Sequence, residues 1–190
     1  MSANKNKRLP SGSHKFSEVP KAEIPRSSFD RSHGHKTTFN AGRLVPIFVD
    51  EALPGDTFNL RTSGFARMAT PIFPIMDNLH METFFFAVPI RLVWENFQRM
   101  MGEQDGPGDT TDYLVPQVDV TTALQPGGYD NGSLADHFGI PTQIENFTHS
   151  ALWTRAYHLI YQDWFRDQNL QPQTEMAKDD GPDLPLFSNL

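Results

Sequence analysis

The chain has 190 residues, of which 38% are hydrophobic and 21% charged, and its mean hydropathy is −0.47. This length allows one sizeable hydrophobic core. Since no long apolar run occurs, we predict neither a signal peptide nor a membrane span. The lack of cysteine excludes disulfides, thiol nucleophiles and Cys-ligated zinc.

The charge is divided unevenly along the chain. Residues 1–43 have nine Lys or Arg and three Asp or Glu, a net charge of +6, whereas residues 44–190 have seven against twenty, a net charge of −13. The leader, residues 1–40, has too few apolar side chains for a core of its own. We predict a basic extended arm that lies on another molecule; the alternative is a solvated, disordered leader. Its charge suits a polyanion.

Three segments of the region 41–102 have the apolar patterns of β-strands. The first contains Pro46, which restricts it to a sheet edge or a bulge. The second alternates apolar and polar residues, and the third alternates and then becomes continuously apolar. Pro54 and Gly55 suit a type II turn, and the link 69–77, with two prolines, is predicted to be irregular. The predicted strands are 43–49, 58–68 and 79–88.

Helical periodicity occurs twice. Residues 90–101 have apolar side chains at helical spacing and are flanked by a proline and a glycine, which are start and stop signals. The stronger pattern lies in residues 148–171, with an apolar stripe beside four aromatic side chains and with Thr148 or Ser150 as the cap. We predict one helix in each region.

Two further regions have little periodicity. Residues 103–147 are rich in Gly, Asp, Thr and Pro and are predicted to be a long surface loop insertion with weak strand or turn content. Residues 172–190 are predicted to be an acidic, apparently truncated tail that ends without a packing element. Three strands cannot close a jelly roll, which needs roughly eight. We therefore expect a fragment, or a chain that depends heavily on partners.

Catalytic signatures are poor. Asp163 and Asp167 lie one helical turn apart near His158 and Arg166, and could be drawn as an acid–base cluster. A water-facing helix side opposite the apolar stripe explains them better. A second group has metal-ligand residue types but no zinc spacing: Asp30, His33 and His35. We predict no catalytic residue, no metal site and no cofactor.

Several blocks of residues occur in a specific order: Ile24–Phe29, Lys36–Gly42, Pro46–Glu51, Leu53–Phe58, Ala69–Pro74, Met76–Leu79 and Met100–Glu103. Residues 155–167 read Arg-Ala-Tyr-His-Leu-Ile-Tyr-Gln-Asp-Trp-Phe-Arg-Asp. Together the blocks closely resemble the major capsid protein family of Microviridae, especially its gokushovirus-like branch, where the last block is Arg-Ala-Tyr-Asn-Leu-Ile-Trp-Asn-Glu-Trp-Phe-Arg-Asp. The resemblance covers most of the chain in order, which is more specific than any single motif.

The resemblance implies a mainly β fold: a viral jelly roll, a β-sandwich or barrel, with long loop insertions and two short helices, incomplete in this chain. It implies a major capsid protein that self-assembles into a T=1 icosahedral shell around the single-stranded DNA genome of a small bacteriophage. The implied location is the virion, assembled in the bacterial host cytoplasm. Other copies of the chain, viral DNA and other virion proteins are the implied partners, with no membrane and no reaction.

Within that hypothesis, the basic leader is the part of the chain that suits DNA. Packing of single-stranded DNA uses Lys and Arg on phosphates and aromatic side chains on bases, and the folded body is too acidic for this. The hypothesised DNA-contacting residues are Lys5, Lys7, Arg8, Lys15, Lys21, Arg26 and Arg31.

Two alternatives from other classes remain. A β-sandwich enzyme such as a glycosidase needs two carboxylates across a cleft at roughly 5 to 10 Å, and no strand-borne pair suggests one. A nucleic-acid-binding module needs basic residues on its folded body, which here has a charge of −13. Uniform closed particles in electron microscopy would favour the capsid hypothesis over both.

Overall fold

The computed structural model describes residues 25–185. Five of the seven hypothesised DNA-contacting side chains, from Lys5 to Lys21, lie outside these described residues. The chain divides into two units, residues 1–35 and residues 36–190. The described part of the first unit contains no helix or strand, and the Asp30 carboxylate accepts hydrogen bonds from the backbone and the hydroxyl of Ser32.

The second unit contains one small sheet and a few short helices. Strand β1 pairs antiparallel with β2, with Gln117 opposite Ser150 and Val120 opposite Phe147. In chain order the elements are a 3-10 turn Ile90–Leu92, α1 Phe97–Met100, β1 Gln117–Val120, α2 Leu134–His137, β2 Phe147–Ser150, α3 Leu152–Ile160 and a π-helical end Tyr161–Phe165. None of the described helices is long and apolar enough to cross a membrane.

A buried cluster lies in the region that the sequence predicts to be a surface loop. Four of its members are more than nine-tenths buried, and Phe138 and Phe147 pack against them. The Ser133 hydroxyl accepts a hydrogen bond from Asp136 and so caps α2, which orders the chain between the strands. Residues 103–147 therefore contain a four-residue strand and a four-residue helical turn, in line with the predicted weak strand or turn content, and also a small buried core, which the prediction did not include. The buried members are Val120, Tyr129, Ala135 and Ile140.

The second predicted helix is confirmed as α3 with its π-helical end, although its start and its buried face differ from the prediction. The N-cap is Ala151, and the Ser150 hydroxyl lies one residue earlier, where it accepts a hydrogen bond from Leu152. Thr148 belongs to β2. The most buried side of α3 is polar, because Thr154, Arg155 and His158 face the interior while the predicted apolar stripe is only half-buried.

The first predicted helix, residues 90–101, is broken. A 3-10 turn and the single turn α1 are separated by residues 93–96, because the Glu95 N–H donates to the distant Lys178 carbonyl over 2.9 Å and does not continue the helical hydrogen-bond pattern. Gly102 has φ +99 and follows α1 as the predicted stop signal.

The three predicted strands form no ladder among the described residues, so the strand assignments 43–49, 58–68 and 79–88 are wrong for this chain taken alone. The turn between the first two segments is confirmed. The Asp56 N–H donates to the Leu53 carbonyl over 3.0 Å, and Gly55 has φ +90, as the third residue of a type II turn requires.

Gly128 provides a test of the packing between the loop that carries the buried cluster and the segment before β2. It has φ +74, and a Cβ there would lie 2.6 Å from the Ile144 backbone nitrogen and closer still to its carbonyl oxygen. We expect Gly128→Ala to lower the free energy of unfolding by about 3 kcal/mol or more, since backbone atoms cannot move aside cheaply. Urea denaturation followed by tryptophan fluorescence measures this loss.

Gly132 is the matched control. Its φ of +76 is nearly the same, but a Cβ there would meet nothing within 4 Å. Gly132→Ala should cost only the left-handed backbone strain, about 1 kcal/mol. Equal losses for the two variants would contradict the packing described here.

Candidate functional site

The polar face of α3 is organised around Arg155, whose side chain is only 2% exposed. Its Nε donates to one carboxylate oxygen of Asp183 over 2.8 Å and its Nη2 to the other over 2.7 Å. Nη1 donates to the backbone carbonyls of Val93 and Asp179 over 3.1 and 3.0 Å. An arginine is seldom buried this deeply unless every donor is used, and this forked geometry meets that requirement.

The carboxylate partner of Arg155 lies in the predicted tail, at Asp183. This residue forms a parallel bridge with Val118 of β1, and its N–H donates to the Gln117 carbonyl over 2.8 Å. The Glu95 N–H also donates to the Lys178 carbonyl over 2.9 Å. The prediction that the tail ends without a packing element is therefore wrong: residues 178–183 connect β1, α3 and the turn after residue 92.

A second carboxylate of this segment, Asp180, binds the same turn. It accepts hydrogen bonds from the Trp94 indole over 2.6 Å and from the Asn96 amide over 2.9 Å, and the Leu114 N–H donates to it over 3.3 Å. Desolvation opposes ionisation of Asp180, but these hydrogen bonds and the charge of Arg155 outweigh it and lower the pKa of the carboxyl group. The side chain of Trp94, whose indole donates to Asp180, is fully buried. We call Arg155 with residues 178–183 the carboxylate clamp.

A buried aromatic pair joins the core to β2. The Tyr129 hydroxyl lies 2.9 Å from His149 Nε2, and His149 Nδ1 lies 3.1 Å from the Ser150 carbonyl. A neutral imidazole that donates through Nδ1 and accepts through Nε2 satisfies both contacts. Burial raises the pKa of Tyr129 to about 12 and lowers the pKa of His149. The pair is therefore neutral at pH 7, with both ring nitrogens of His149 engaged.

Two hydrogen bonds attach the chain that precedes the first turn to this folded part. The Tyr157 hydroxyl donates to the Leu44 carbonyl over 2.8 Å, and the Thr37 hydroxyl lies 3.1 Å from His137 Nδ1. Burial raises the pKa of Tyr157 to about 12, which keeps this donor protonated. Residues 37–44 thus have fixed attachments.

The segment 57–88 is different, because it has large exposed apolar side chains and its backbone is not paired with other described backbone. Phe65 is 92% exposed, Ile72 93% and Met76 98%, and further Phe, Leu, Ile and Met side chains of the segment are more than a third exposed. Among the described residues, no backbone group of this segment hydrogen bonds with another backbone group. We call this segment the open strand segment. Contiguous apolar exposure of this kind is rare on the surface of a monomeric soluble protein.

The open strand segment ends against α3 in a group of aromatic rings. The ring centroids of Phe84 and Phe165 are 5.4 Å apart at an interplanar angle of 75°, and those of Phe86 and Trp164 are 5.7 Å apart at 56°. These edge and tilted contacts are the favoured geometries of aromatic pairs. Together with Phe85 the rings line an open cleft of about 460 Å³.

The residues considered as acid–base or metal-binding candidates do not form a common site. Asp163, in the π-helical end, and Asp167, which lies beyond the end of the helix, are both exposed. His158 Nε2 lies 3.2 Å from the amide nitrogen of Gln162. The His33 ring lies against the Arg31 carbonyl over 2.9 Å. Among the described residues no group of three His, Cys, Asp or Glu could hold a metal ion.

Comparison with known proteins gives a single answer over nearly the whole chain. Residues 17–186 match the family described as capsid protein (F protein) of phages. The chain belongs to this phage capsid family. The matched range includes the open strand segment, α3 and the carboxylate clamp, and the resemblance to the Microviridae capsid family is confirmed.

Three similar relatives are phage proteins called capsid protein VP1. That of Bdellovibrio phage phiMH2K is 51% identical over 170 residues, that of Chlamydia phage 1 is 48% identical over 174 residues, and that of Spiroplasma virus 4 is 36% identical over 166 residues. These matches cover 90%, 88% and 87% of this chain but only 31%, 28% and 30% of the relatives. The chain thus spans about three-tenths of the length of the relatives that it matches.

Sequence reasoning missed the carboxylate clamp. One signal was present: Asp179, Asp180 and Asp183 surround a Gly-Pro pair in a tail with no other structure, while Arg155 lies on a helix rich in aromatic residues. The distance of 28 residues between Arg155 and Asp183 hides their pairing, because charge attraction has no sequence periodicity.

Substitution of Arg155 tests the clamp. Arg155→Lys keeps the charge but cannot reach both oxygens of Asp183 and two backbone carbonyls together. We expect it to lower the free energy of unfolding by about 2–3 kcal/mol, because buried carboxylate and carbonyl groups lose partners. Urea denaturation followed by Trp94 fluorescence measures the change.

The control for this substitution is Arg99→Lys, since Arg99 is exposed on α1. Its effect should stay within about 0.5 kcal/mol. A similar, small loss for both variants would mean that the forked contact does not hold the segment 178–183 in place.

Proposed function

We propose that the chain is part of a major capsid protein, a non-enzymatic subunit that assembles with copies of itself into the icosahedral shell of a small phage with a single-stranded DNA genome. The proposed location is the virion, with assembly in the bacterial host cytoplasm. The observation that carries the proposal is the open strand segment, which leaves an apolar and hydrogen-bonding surface for other polypeptides. Membership of the phage capsid family supports it.

Burial of the open strand segment, against the missing strands and against neighbouring copies, would contribute to the energy of folding and assembly. Each large apolar side chain that leaves water contributes about 1.5–3 kcal/mol. Since a closed shell repeats every contact by symmetry, a modest contact of this kind suffices for a stable particle. The carboxylate clamp also supports the proposal, because it holds α3, where the open strand segment ends, in one conformation before a partner binds.

We further propose that the completed fold is a jelly roll in which 43–49, 58–68 and 79–88 become sheet strands. Their alternating apolar pattern suits a two-sheet sandwich. Among the described residues, 58–68 and 79–88 make no backbone–backbone hydrogen bonds, which suits strand addition to these two segments. The relatives are about three times longer than this chain, so their remaining sequence is long enough to contribute the missing strands.

The basic leader is proposed to contact the genome inside the shell. Seven Lys and Arg side chains are the proposed phosphate ligands, and of these the described residues include Arg26 and Arg31, both exposed. The acidic body, with a charge of −13, would leave the leader as the attractive surface for DNA. Other virion proteins are further proposed partners.

Removal of residues 2–26 from the full-length gene product tests both parts of the proposal. The unaltered protein should form uniform closed particles in electron microscopy. The truncated protein should still form the shell but package less DNA, because five Lys or Arg and Arg26 are removed. The DNA content is measured as the ratio of absorbance at 260 and 280 nm in purified particles.

Truncation changes length as well as charge, so a charge-only variant is the control. Replacement of Lys5, Lys7, Arg8, Lys15 and Lys21 by Gln should lower the DNA content to a similar extent. Absence of particles from the unaltered protein would refute the capsid proposal. Loss of the shell on truncation alone would instead mean that the leader joins subunits, and an unchanged DNA content would refute the role in packaging.

A further inference from the structure

An Asn-Gly pair lies in an exposed turn directly before α2. Asn131 and Gly132 are both exposed, and across them the Ser133 N–H donates to the Asp130 carbonyl over 3.2 Å. Gly132 has φ +76, which suits the third position of a type II turn, and a Cβ there would meet nothing within 4 Å. This is the single place in the sequence where glycine follows asparagine.

An asparagine loses its side-chain amide when the next backbone nitrogen attacks it. The Gly132 nitrogen would form a bond to Cγ of Asn131 while the bond from Cγ to Nδ2 breaks, and the proton of the Gly132 N–H leaves with the amide nitrogen as ammonia. Water then adds to one carbonyl of the resulting five-membered imide and opens it to aspartate or isoaspartate. Glycine favours the ring closure, because it has no side chain to obstruct the attack and its backbone rotates freely.

A carboxylate holds the nitrogen that would attack. The Gly132 N–H donates to Oδ2 of Asp136 over 2.7 Å, the length of a charge-assisted hydrogen bond. The attack requires the loss of this proton, and the neighbouring negative charge opposes formation of a negatively charged amide nitrogen. The contact also fixes the peptide group, which limits its rotation towards the Asn131 side chain. Asp136 therefore restrains a reaction that the sequence favours.

The same restraint occurs at both Asp-Gly pairs of the sequence, which form the same imide with loss of water. In Asp105–Gly106 the glycine N–H donates to Oδ2 of Asp109 over 3.2 Å. In Asp180–Gly181 the glycine N–H donates to Oδ1 of Asp179 over 3.2 Å. Thus each Asn-Gly or Asp-Gly pair of the chain has a carboxylate on the nitrogen that would attack, and the shortest of the three contacts is at the Asn-Gly pair.

We propose that Asn131 is a site of slow deamidation and that Asp136 sets the rate of the reaction. Every other asparagine of the sequence precedes Ala, Leu, Phe or Lys, whose side chains hinder ring closure. Asn131 therefore reacts first, and the hydrogen bond to Asp136 determines how long the folded chain keeps its original turn.

The reaction would change the start of α2. A new carboxylate at position 131 adjoins Asp130 and shares the turn with Asp136, so like charges repel one another. Isoaspartate also adds one carbon to the main chain and moves Gly132 away from Asp136. Since α2 carries His137, whose Nδ1 lies 3.1 Å from the Thr37 hydroxyl, the modification would weaken the attachment of residues 37–44. This chemistry takes place within one copy and does not depend on the proposed capsid function.

Peptide mapping by mass spectrometry tests the site and its restraint. The full-length protein is incubated at mildly alkaline pH, and the peptide that contains residue 131 should gain aspartate and isoaspartate before any peptide that contains another asparagine. Asp136→Ala should raise the rate about five-fold, the factor that corresponds to one hydrogen bond. Asp130→Ala is the matched control, because it removes a neighbouring exposed carboxylate but keeps the Gly132 contact, and it should leave the rate within about two-fold.

A second measurement covers the case in which Asp136→Ala does not fold. In urea at an unfolding concentration the contact is absent, so Asn131 of the unaltered protein should react about five-fold faster than in buffer, and Asp136→Ala should react at that same rate. Earlier conversion of another asparagine, or no conversion at position 131, would overturn the site. Equal rates in buffer and in urea for the unaltered protein would overturn the restraint by Asp136. Absence of closed particles would refute the capsid function and leaves this inference intact.

Discussion

The backbone of an extended chain needs hydrogen-bond partners, and among the described residues the open strand segment makes no hydrogen bond with another backbone group. Water can satisfy such groups at an exposed surface, but the side chains of this segment are Phe, Ile, Leu and Met, whose exposure is unfavourable. One event relieves both conditions: the addition of other strands. The membership of the chain in a phage capsid family, whose matched members are about three times longer, gives this requirement a biological setting.

The carboxylate clamp, in contrast, pairs the buried charge of Arg155. Arg155 uses its donors on the carboxylate of Asp183 and on backbone carbonyls, and Asp180 orders Trp94 and Asn96. Buried charge is costly unless it is fully paired, so this arrangement specifies one conformation. It also explains why α3 buries its polar side and leaves its aromatic end open. The carboxylate clamp thus fixes the conformation of α3, and the open strand segment, which ends against the aromatic rings after α3, exposes its apolar side chains.

Features that depend on short stretches of sequence were predicted correctly. The turn at Pro54 and Gly55, the stop at Gly102 and the existence of the second helix follow from backbone preferences and apolar spacing, and they are present. The predicted strands are apolar and alternating, yet a β-strand is stable only when it pairs with a neighbouring strand. The described residues provide no such partner for these three segments. The carboxylate clamp was missed because residues far apart in sequence form it, and the leader's DNA-binding residues stay a prediction.

Hydrogen–deuterium exchange of the open strand segment tests the central claim most directly. The backbone amides of residues 57–88 are compared between this chain in isolation and particles assembled from the full-length protein. If added strands complete this segment, the amides exchange rapidly in the isolated chain and become strongly protected in the particle. Rapid exchange of the same amides inside intact particles would contradict the account.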